Sequence, residues 1–186
     1  MLEEADKVPA ALFEAPFEVV MPSGAGAATS TLAKLAPPGK TLVLYFYPKD
    51  NTPGCTLEAR GFTASTAAIA KAGGVVVGVS RDSTKSHASF RDKCELGIAL
   101  LSDPERALHE AFGAWGHKTM YGRDVLGAIR STFLVKDGWV IKAWRGVKVD
   151  GHVEQVLAVL RGDRAAPLTS PKLSAKTKPR SKAKPK

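Results

Sequence analysis

An unbroken apolar and aromatic run from Thr41 to Tyr47 is the strongest pattern along the chain, and it predicts a short strand buried on both faces. Pro48 to Asn51 then supplies turn chemistry. Thr52-Pro53 predicts a helix start, with Thr52 as N-cap and Pro53 in the first helical position. An Ala-rich helix is expected from about Pro53 to Ala72, closed by Gly73-Gly74, and Val75 to Ser80 reads as a second buried strand. Strand, helix and strand in that order imply a right-handed parallel crossover. Ser83 or Thr84 can cap the next helix, along which His87, Phe90 or Arg91, and Cys94 recur at helical spacing. Ile98 to Leu101 predicts a short strand, and Ser102-Asp103-Pro104-Glu105 carries the signals of another helix start.

In the second half, Asp137-Gly138 separates two β-rich apolar runs, Ser131 to Lys136 and Trp139 to Trp144. That predicts a hairpin with a two-residue turn. Val153, Val156, Leu157 and Leu160 form one apolar stripe at i, i+3, i+4 and i+7, the mark of a closing amphipathic helix. Before Gly39 the chain is rich in Ala, Pro and Gly and offers one strand, Phe17 to Val20. Alternating strands and helices followed by a hairpin and a helix predict an α/β fold with a mixed central sheet flanked by helices.

With 186 residues, 44% of them hydrophobic, the chain suits one domain with a sizeable core, expected over residues 1–167. The formal net charge of +9 changes meaning once it is located. Lys172, Lys176, Lys178, Arg180, Lys182, Lys184 and Lys186 carry seven of those charges in a Lys/Pro-rich tail, residues 168–186, that has no acidic residue and is expected to be disordered. Such a tail suits either nonspecific attraction to nucleic-acid phosphates or a solubilising role. The acidic start, Met1-Leu2-Glu3-Glu4, lacks the pattern of a signal peptide, and no apolar run approaches the roughly 20 residues that cross a bilayer. A cytoplasmic protein without membrane contact is expected. Two widely spaced cysteines make no disulfide framework, four scattered histidines make no metal motif, and no Gly-rich loop suits a dinucleotide, so no cofactor is expected.

Chemistry enters with Cys55, which falls in the first turn of the predicted helix. Unpaired backbone N–H groups and the positive end of the helix dipole converge there and favour a thiolate over a thiol. A buried structural cysteine would fit the same position, but the Thr-Pro-Gly-Cys context favours a nucleophile.

The run Pro48-Lys49-Asp50-Asn51-Thr52-Pro53-Gly54-Cys55 resembles the peroxiredoxin pattern Pro-x-x-x-Thr-x-x-Cys. Leu44 to Asp50, Leu100 to Pro104, Trp115-Gly116 through Met120-Tyr121-Gly122, and Arg130 to Leu134 are similar to words of its bacterioferritin-comigratory or PrxQ-type branch. The resemblance spans about Thr41 to Leu160; residues 1–39 match loosely and the tail lies outside it. It implies a thioredoxin-like fold and thiol-dependent reduction of hydrogen peroxide and organic hydroperoxides, with Cys55 oxidised to sulfenic acid. By the same resemblance, Arg130 stabilises the sulfur and polarises the peroxide. Thr52 supplies a hydroxyl to peroxide and sulfur, Pro48 shapes and shields the pocket, and Trp115, Met120 and Tyr121 lie in a loop that can wall it. A surface arginine, a simple N-cap and ordinary packing are the competing readings of Arg130, Thr52 and the loop residues.

Many members of the branch carry the resolving cysteine five residues after the first, where this chain has Arg60. Others carry it on the following helix, near Cys94. The resemblance therefore implies a Cys55–Cys94 disulfide reduced by thioredoxin. If Cys94 is only a small core residue beside Phe90, an external thiol reductant closes the cycle instead. It also implies a monomer. Stoichiometric redox sensing and a nucleic-acid-associated role for the tail stand as alternatives from other functional classes. A thiol-disulfide oxidoreductase is disfavoured because no Cys-x-x-Cys pair is present.

Overall fold

The computed structural model describes residues 1–24, 26–120 and 122–162. Its elements run α1 (Ala10–Phe13), β1 (Phe17–Val20), β2 (Ala27–Ser30), α2 (Leu32–Leu35), β3 (Thr41–Phe46), α3 (Pro53–Lys71), β4 (Gly74–Ser80), α4 (Thr84–Cys94) and β5 (Ala99–Ser102). They continue with α5 (Ala107–Ala111), β6 (Trp115–Met120), β7 (Arg123–Ala128), β8 (Ser131–Lys136), β9 (Trp139–Arg145) and α6 (His152–Leu160). Seven strands form one sheet in the order β2-β1-β5-β4-β3-β8-β9, while β6 and β7 pair separately. The β3–β4 and β4–β5 pairs are parallel and the remaining pairs antiparallel, so the sheet is mixed and thioredoxin-like.

Every residue of β3 is buried. Because side chains alternate across a strand, β3 feeds two cores at once. Leu42, Leu44 and Phe46 pack with Val79, Phe112 and Phe133 on one face of the sheet. Val43, Tyr45 and Tyr47 pack on the other with Cys55, Phe62, Phe90, Cys94 and Val156, beneath α3, α4 and α6. Both cysteines thus line the same core layer. Tyr45 occupies its place because Gly78 on β4, opposite it in register, has no side chain: a Cβ there would lie 2.7 Å from the phenol ring.

The Asp137-Gly138 turn forms as expected, with φ of 50° and 80°, the double positive φ of a type I′ hairpin. Residues 5–8 hydrogen-bond along β9 and cover what would otherwise be a free sheet edge. Two expectations are corrected. The helix expected to open at Ser102 to Glu105 begins only at Ala107, because Asp103 is buried and its carboxylate accepts the His109 amide (2.9 Å) and ring Nδ1 (2.7 Å) from one turn further on. The stretch read as a loop from Trp115 is the strand β6, paired antiparallel with β7; Gly116, His117, Lys118 and Thr119 give β6 no apolar alternation of its own, so its pairing is not announced locally. Tyr121 and the basic tail from Leu168 onward lie outside the described residues, as does the expected domain end at residue 167. No helix among the described residues is long and apolar enough to cross a membrane.

The close approach of Tyr45 to Gly78 gives a stability prediction. Gly78→Ala is expected to lower the free energy of unfolding by about 1–3 kcal/mol through overpacking, read as a reduced urea midpoint at constant slope. An unchanged midpoint would mean that the ring moves aside freely.

Candidate active site

β3 ends at Phe46, and the chain turns through Pro48 to Asn51 before entering α3. Asn51 adopts φ 57°, a left-handed value that asparagine tolerates well. Thr52 has the extended backbone of an N-cap, and its carbonyl accepts the Thr56 amide at 2.8 Å. Its side chain does not cap the helix. The hydroxyl instead donates to the Lys49 carbonyl at 3.0 Å, tying the turn together.

Cys55 therefore sits in the first turn of α3, 1% exposed and unbonded to Cys94. From across the sheet Arg130, just before β8, reaches the sulfur: its Nη2 donates to Cys55 Sγ at 3.3 Å. The guanidinium lies against the helix start, with Nη2 3.5 Å from where a Cβ on Gly54 would stand. A cation held here stabilises negative charge on sulfur and offers hydrogen bonds to an oxygen approaching it.

The other arm of Arg130 is held by Glu58, whose Oε2 accepts from Nη1 in a close contact. Glu58 is buried, and its second oxygen, Oε1, has no partner among the described residues. Burial pushes its carboxyl up to about 7, with the charge and hydrogen bonds of Arg130 opposing the rise. The pKa of Arg130 is raised: burial acts to lower it, and Glu58 and Cys55 together more than offset that effect. Nearby, the Tyr45 hydroxyl is buried without a partner, and burial followed by the charges of Glu58 and Cys55 drives its pKa well above 10.

Lys118 on β6 adds a second cation to this side of the molecule. Its Nζ donates to the carbonyl of Ala128, two residues before Arg130, and its pKa is lowered by burial and then by repulsion from Arg130. His152 at the start of α6 faces the Thr132 hydroxyl at 2.8 Å, and burial pulls its pKa down to about 4, so it is neutral at pH 7.

Of the residues expected at the site, Cys55 and Arg130 are in direct contact and Thr52 lies at the entry to the same turn. Pro48 is exposed, at the outer end of that turn. Arg60, in the position five residues after Cys55, is exposed. Cys94 ends α4 and is 9% exposed, in the core layer shared with Cys55 but on a different helix. Trp115 packs between the guanidinium groups of Arg81 and Arg106, 5.0 and 5.2 Å from its ring centre, with its edge to His109.

Glu58 and Lys118 were not foreseen. Glu58 had a readable signal: it lies three residues after Cys55, inside the buried stripe Cys55, Glu58, Ala59, Phe62, and a carboxylate on such a face needs a cationic partner. Lys118 had none, because it reaches the site through a strand pairing that the sequence does not announce.

A thioredoxin-like sheet that presents a reduced cysteine at a helix N-terminus beneath an arginine defines a thiol-based redox protein. The AhpC/TSA family model matches residues 7–143, and the chain belongs to that family, on its peroxiredoxin Bcp/PrxQ branch. It is 46% identical over 162 residues to peroxiredoxin Bcp of Xanthomonas campestris, covering 87% of this chain and 97% of that protein. It is 48% identical over 124 residues to peroxiredoxin Bcp of Bacillus subtilis, covering 66% of this chain and 79% of the relative. A solved structure of the Xanthomonas campestris bacterioferritin comigratory protein, described for its alkyl peroxide reduction activity, superposes with a TM-score of 0.75 at 45% identity, covering 86% of this chain and 98% of that one.

The raised carboxyl of Glu58 has two consequences. Its contribution to folding stability is fully present below the ordinary value of 4.5 and is lost as pH rises through about 7, where the buried group ionises. The rate of peroxide reaction at Cys55 should show an inflection at about pH 7 as Glu58 gains charge beside Arg130. Glu58→Gln is expected to remove that inflection in stopped-flow measurements, and the same profile in the variant would contradict the assignment.

Proposed function

We propose that this protein is a thiol peroxidase in which Cys55 reduces hydrogen peroxide and organic hydroperoxides. The observation that carries the reading is the 3.3 Å hydrogen bond from Arg130 to the sulfur of a buried, reduced cysteine at a helix N-terminus. The Cys55 thiolate attacks one peroxide oxygen, an S–O bond forms as the O–O bond breaks, and the second oxygen leaves as water or alcohol after taking a proton. Arg130 faces the developing negative charge on the departing oxygen, and Glu58 keeps its planar head aimed at the sulfur. The Thr52 hydroxyl, free to turn away from the Lys49 carbonyl, donates to sulfur or accepts from the peroxide, and Pro48 limits access of water at the rim.

The sulfenic acid is then resolved by the Cys94 thiol, giving a Cys55–Cys94 disulfide and one water. Support comes from the shared core layer and from Arg60 in place of a closer thiol. Because the cysteines lie on separate helices and disulfide geometry needs Cα atoms within about 7 Å, local opening of the first turn of α3 accompanies this step. A cytoplasmic dithiol protein such as thioredoxin restores both thiols by exchange. We further infer a monomer whose basic residues Lys172 to Lys186 attract polyanions such as nucleic acid without taking part in peroxide chemistry.

Peroxide consumption coupled to thioredoxin tests the whole reading. Cys55→Ser is expected to abolish turnover, and Arg130→Lys to lower kcat/KM by about a hundredfold through loss of the double contact. Cys94→Ser should stop turnover after one equivalent. Continued turnover of Cys55→Ser would exclude the mechanism, and unchanged turnover of Cys94→Ser would exclude only the intramolecular route.

A further inference from the structure

Arg130 is presented by a short link, Ile129-Arg130, between the end of β7 and the start of β8. Hydrogen bonds fasten that link along its length. The Ile129 amide donates to the Ala114 carbonyl at 2.8 Å, the Ile129 carbonyl accepts the Ser131 hydroxyl at 3.0 Å, and the Arg130 carbonyl accepts the Val147 amide at 2.9 Å. The Ala128 carbonyl, at the entry to the link, differs from these. Its partner is a charged side chain, the ammonium of Lys118 on β6.

The β6–β7 ribbon leaves a path for that side chain. Gly116 and Gly127 stand opposite each other in register. Directly opposed residues share a face of the ribbon, as do residues two apart on one strand, so Lys118 and Ile129 flank a patch where neither glycine puts a side chain. Ile129 Cδ1 lies 3.1 Å from where a Cβ on Gly116 would stand, and Lys118 Cε and Nζ lie 3.4 and 3.6 Å from where a Cβ on Gly127 would stand. The half-buried lysine stem therefore runs over β7, and its head ends at the Ala128 carbonyl.

This placement runs against charge. Lys118 and Arg130 are both cations and both are partly withdrawn from water. Burial and repulsion from the guanidinium lower the lysine's pKa, and the Cys55 sulfur acts in the opposite direction, so the ammonium feels both members of the Arg130–Cys55 contact. No carboxylate among the described residues pairs with Lys118, and Glu58 is given to Arg130. Repulsion disfavours any rotamer that swings the guanidinium toward β6, which leaves its arms on Glu58 and on the Cys55 sulfur.

We propose that Lys118 is a positioning residue for the reaction at Cys55: its ammonium tethers the Ala128 carbonyl at the entry to the link and, by repulsion, holds the Arg130 guanidinium on the sulfur. Its effect on rate rests on Cys55 being the peroxide-reactive thiol. Its effect on Arg130 belongs to the reduced protein whatever the substrate. A lysine that only covered the ribbon face would be replaced without loss by an apolar side chain of similar length, and methionine makes that comparison.

Two rates at the same sulfur test the role in the reduced, full-length protein. Stopped-flow reaction with hydrogen peroxide needs the guanidinium in place, whereas alkylation of Cys55 by iodoacetamide needs only the sulfur. Lys118→Met is expected to slow the peroxide reaction by about tenfold or more while alkylation stays close to native, because a small misplacement of an orienting group is enough to lose that much. Lys118→Arg, which keeps both charge and donor, should recover most of the peroxide rate, and Lys118→Gln, which keeps a donor without the charge, should fall between the two. In a crystal structure of Lys118→Met, or of Lys118→Gln where the methionine variant does not fold, Arg130 Nη2 is expected to leave hydrogen-bond distance of Cys55 Sγ. A native peroxide rate in both variants, equal losses in the two rates, or a guanidinium still 3.3 Å from the sulfur would overturn the proposal. If the guanidinium leaves the sulfur in the variant while the native protein reacts with peroxide no faster than free cysteine, the positioning role stands and the peroxidase reading falls.

Discussion

Arg130 is the residue on which the site depends. Its guanidinium is mostly withdrawn from water, with 16% of the side chain exposed, and spans a sulfur on one arm and a carboxylate on the other. A cation so placed must be matched, and Glu58, 1% exposed, matches it only partly because its own burial favours the protonated form. Around neutral pH part of the arginine charge is therefore unclaimed by Glu58 and available to sulfur. Removing either partner of a buried pair typically costs ~3–5 kcal/mol, so Arg130, Glu58 and the start of α3 are one structural unit as well as one chemical unit.

The fold assembles that unit from three directions. β3 drives the chain through the centre of the sheet and delivers it to the turn that starts α3; β8 pairs with β3 along its whole length and carries Arg130 at its entry. The register that sets Phe46 opposite Ser131 thus fixes the arginine one residue from the end of the very strand that leads to Cys55. Below them Tyr45 stacks on Phe62, with ring centres 4.7 Å apart, filling the layer under α3 that Gly78 leaves open. The same layer holds Cys94, so the core that buries Cys55 also stores its candidate partner on a separate helix, which the Asp50–His87 contact ties to the turn before α3.

Much of this was legible in the sequence where a physical signal is local. The run Thr41 to Tyr47, the Thr52-Pro53 helix start, the Asp137-Gly138 turn and the stripe Val153 to Leu160 each predict their element within a residue or two of where it forms. The unread parts share a cause. β2 is almost wholly exposed, and β6 and β7 pair as a ribbon outside the main sheet with most of β7 open to water, so burial writes no clear period into either stretch. Asp103 looked like a cap because cap residues and buried carboxylates are spelled alike. His87 illustrates the same limit: its helical spacing puts it in line with Phe90 and Cys94, but only the fold shows that it is buried and that both its nitrogens meet oxygen atoms. Glu58 could have been found, since a carboxylate on a buried helical face beside a cysteine demands a cation.

The chemistry proposed for this site rests on oxidation at the Cys55 thiol and on its recovery through Cys94. Mass analysis of the intact, unreduced protein after one equivalent of hydrogen peroxide, followed by peptide mapping, tests it most directly. A loss of two hydrogens and a single peptide pair joining Cys55 to Cys94 within one chain are expected. An unmodified Cys55 with oxidation elsewhere, or a persistent Cys55 sulfenic acid beside a free Cys94 thiol, would contradict it.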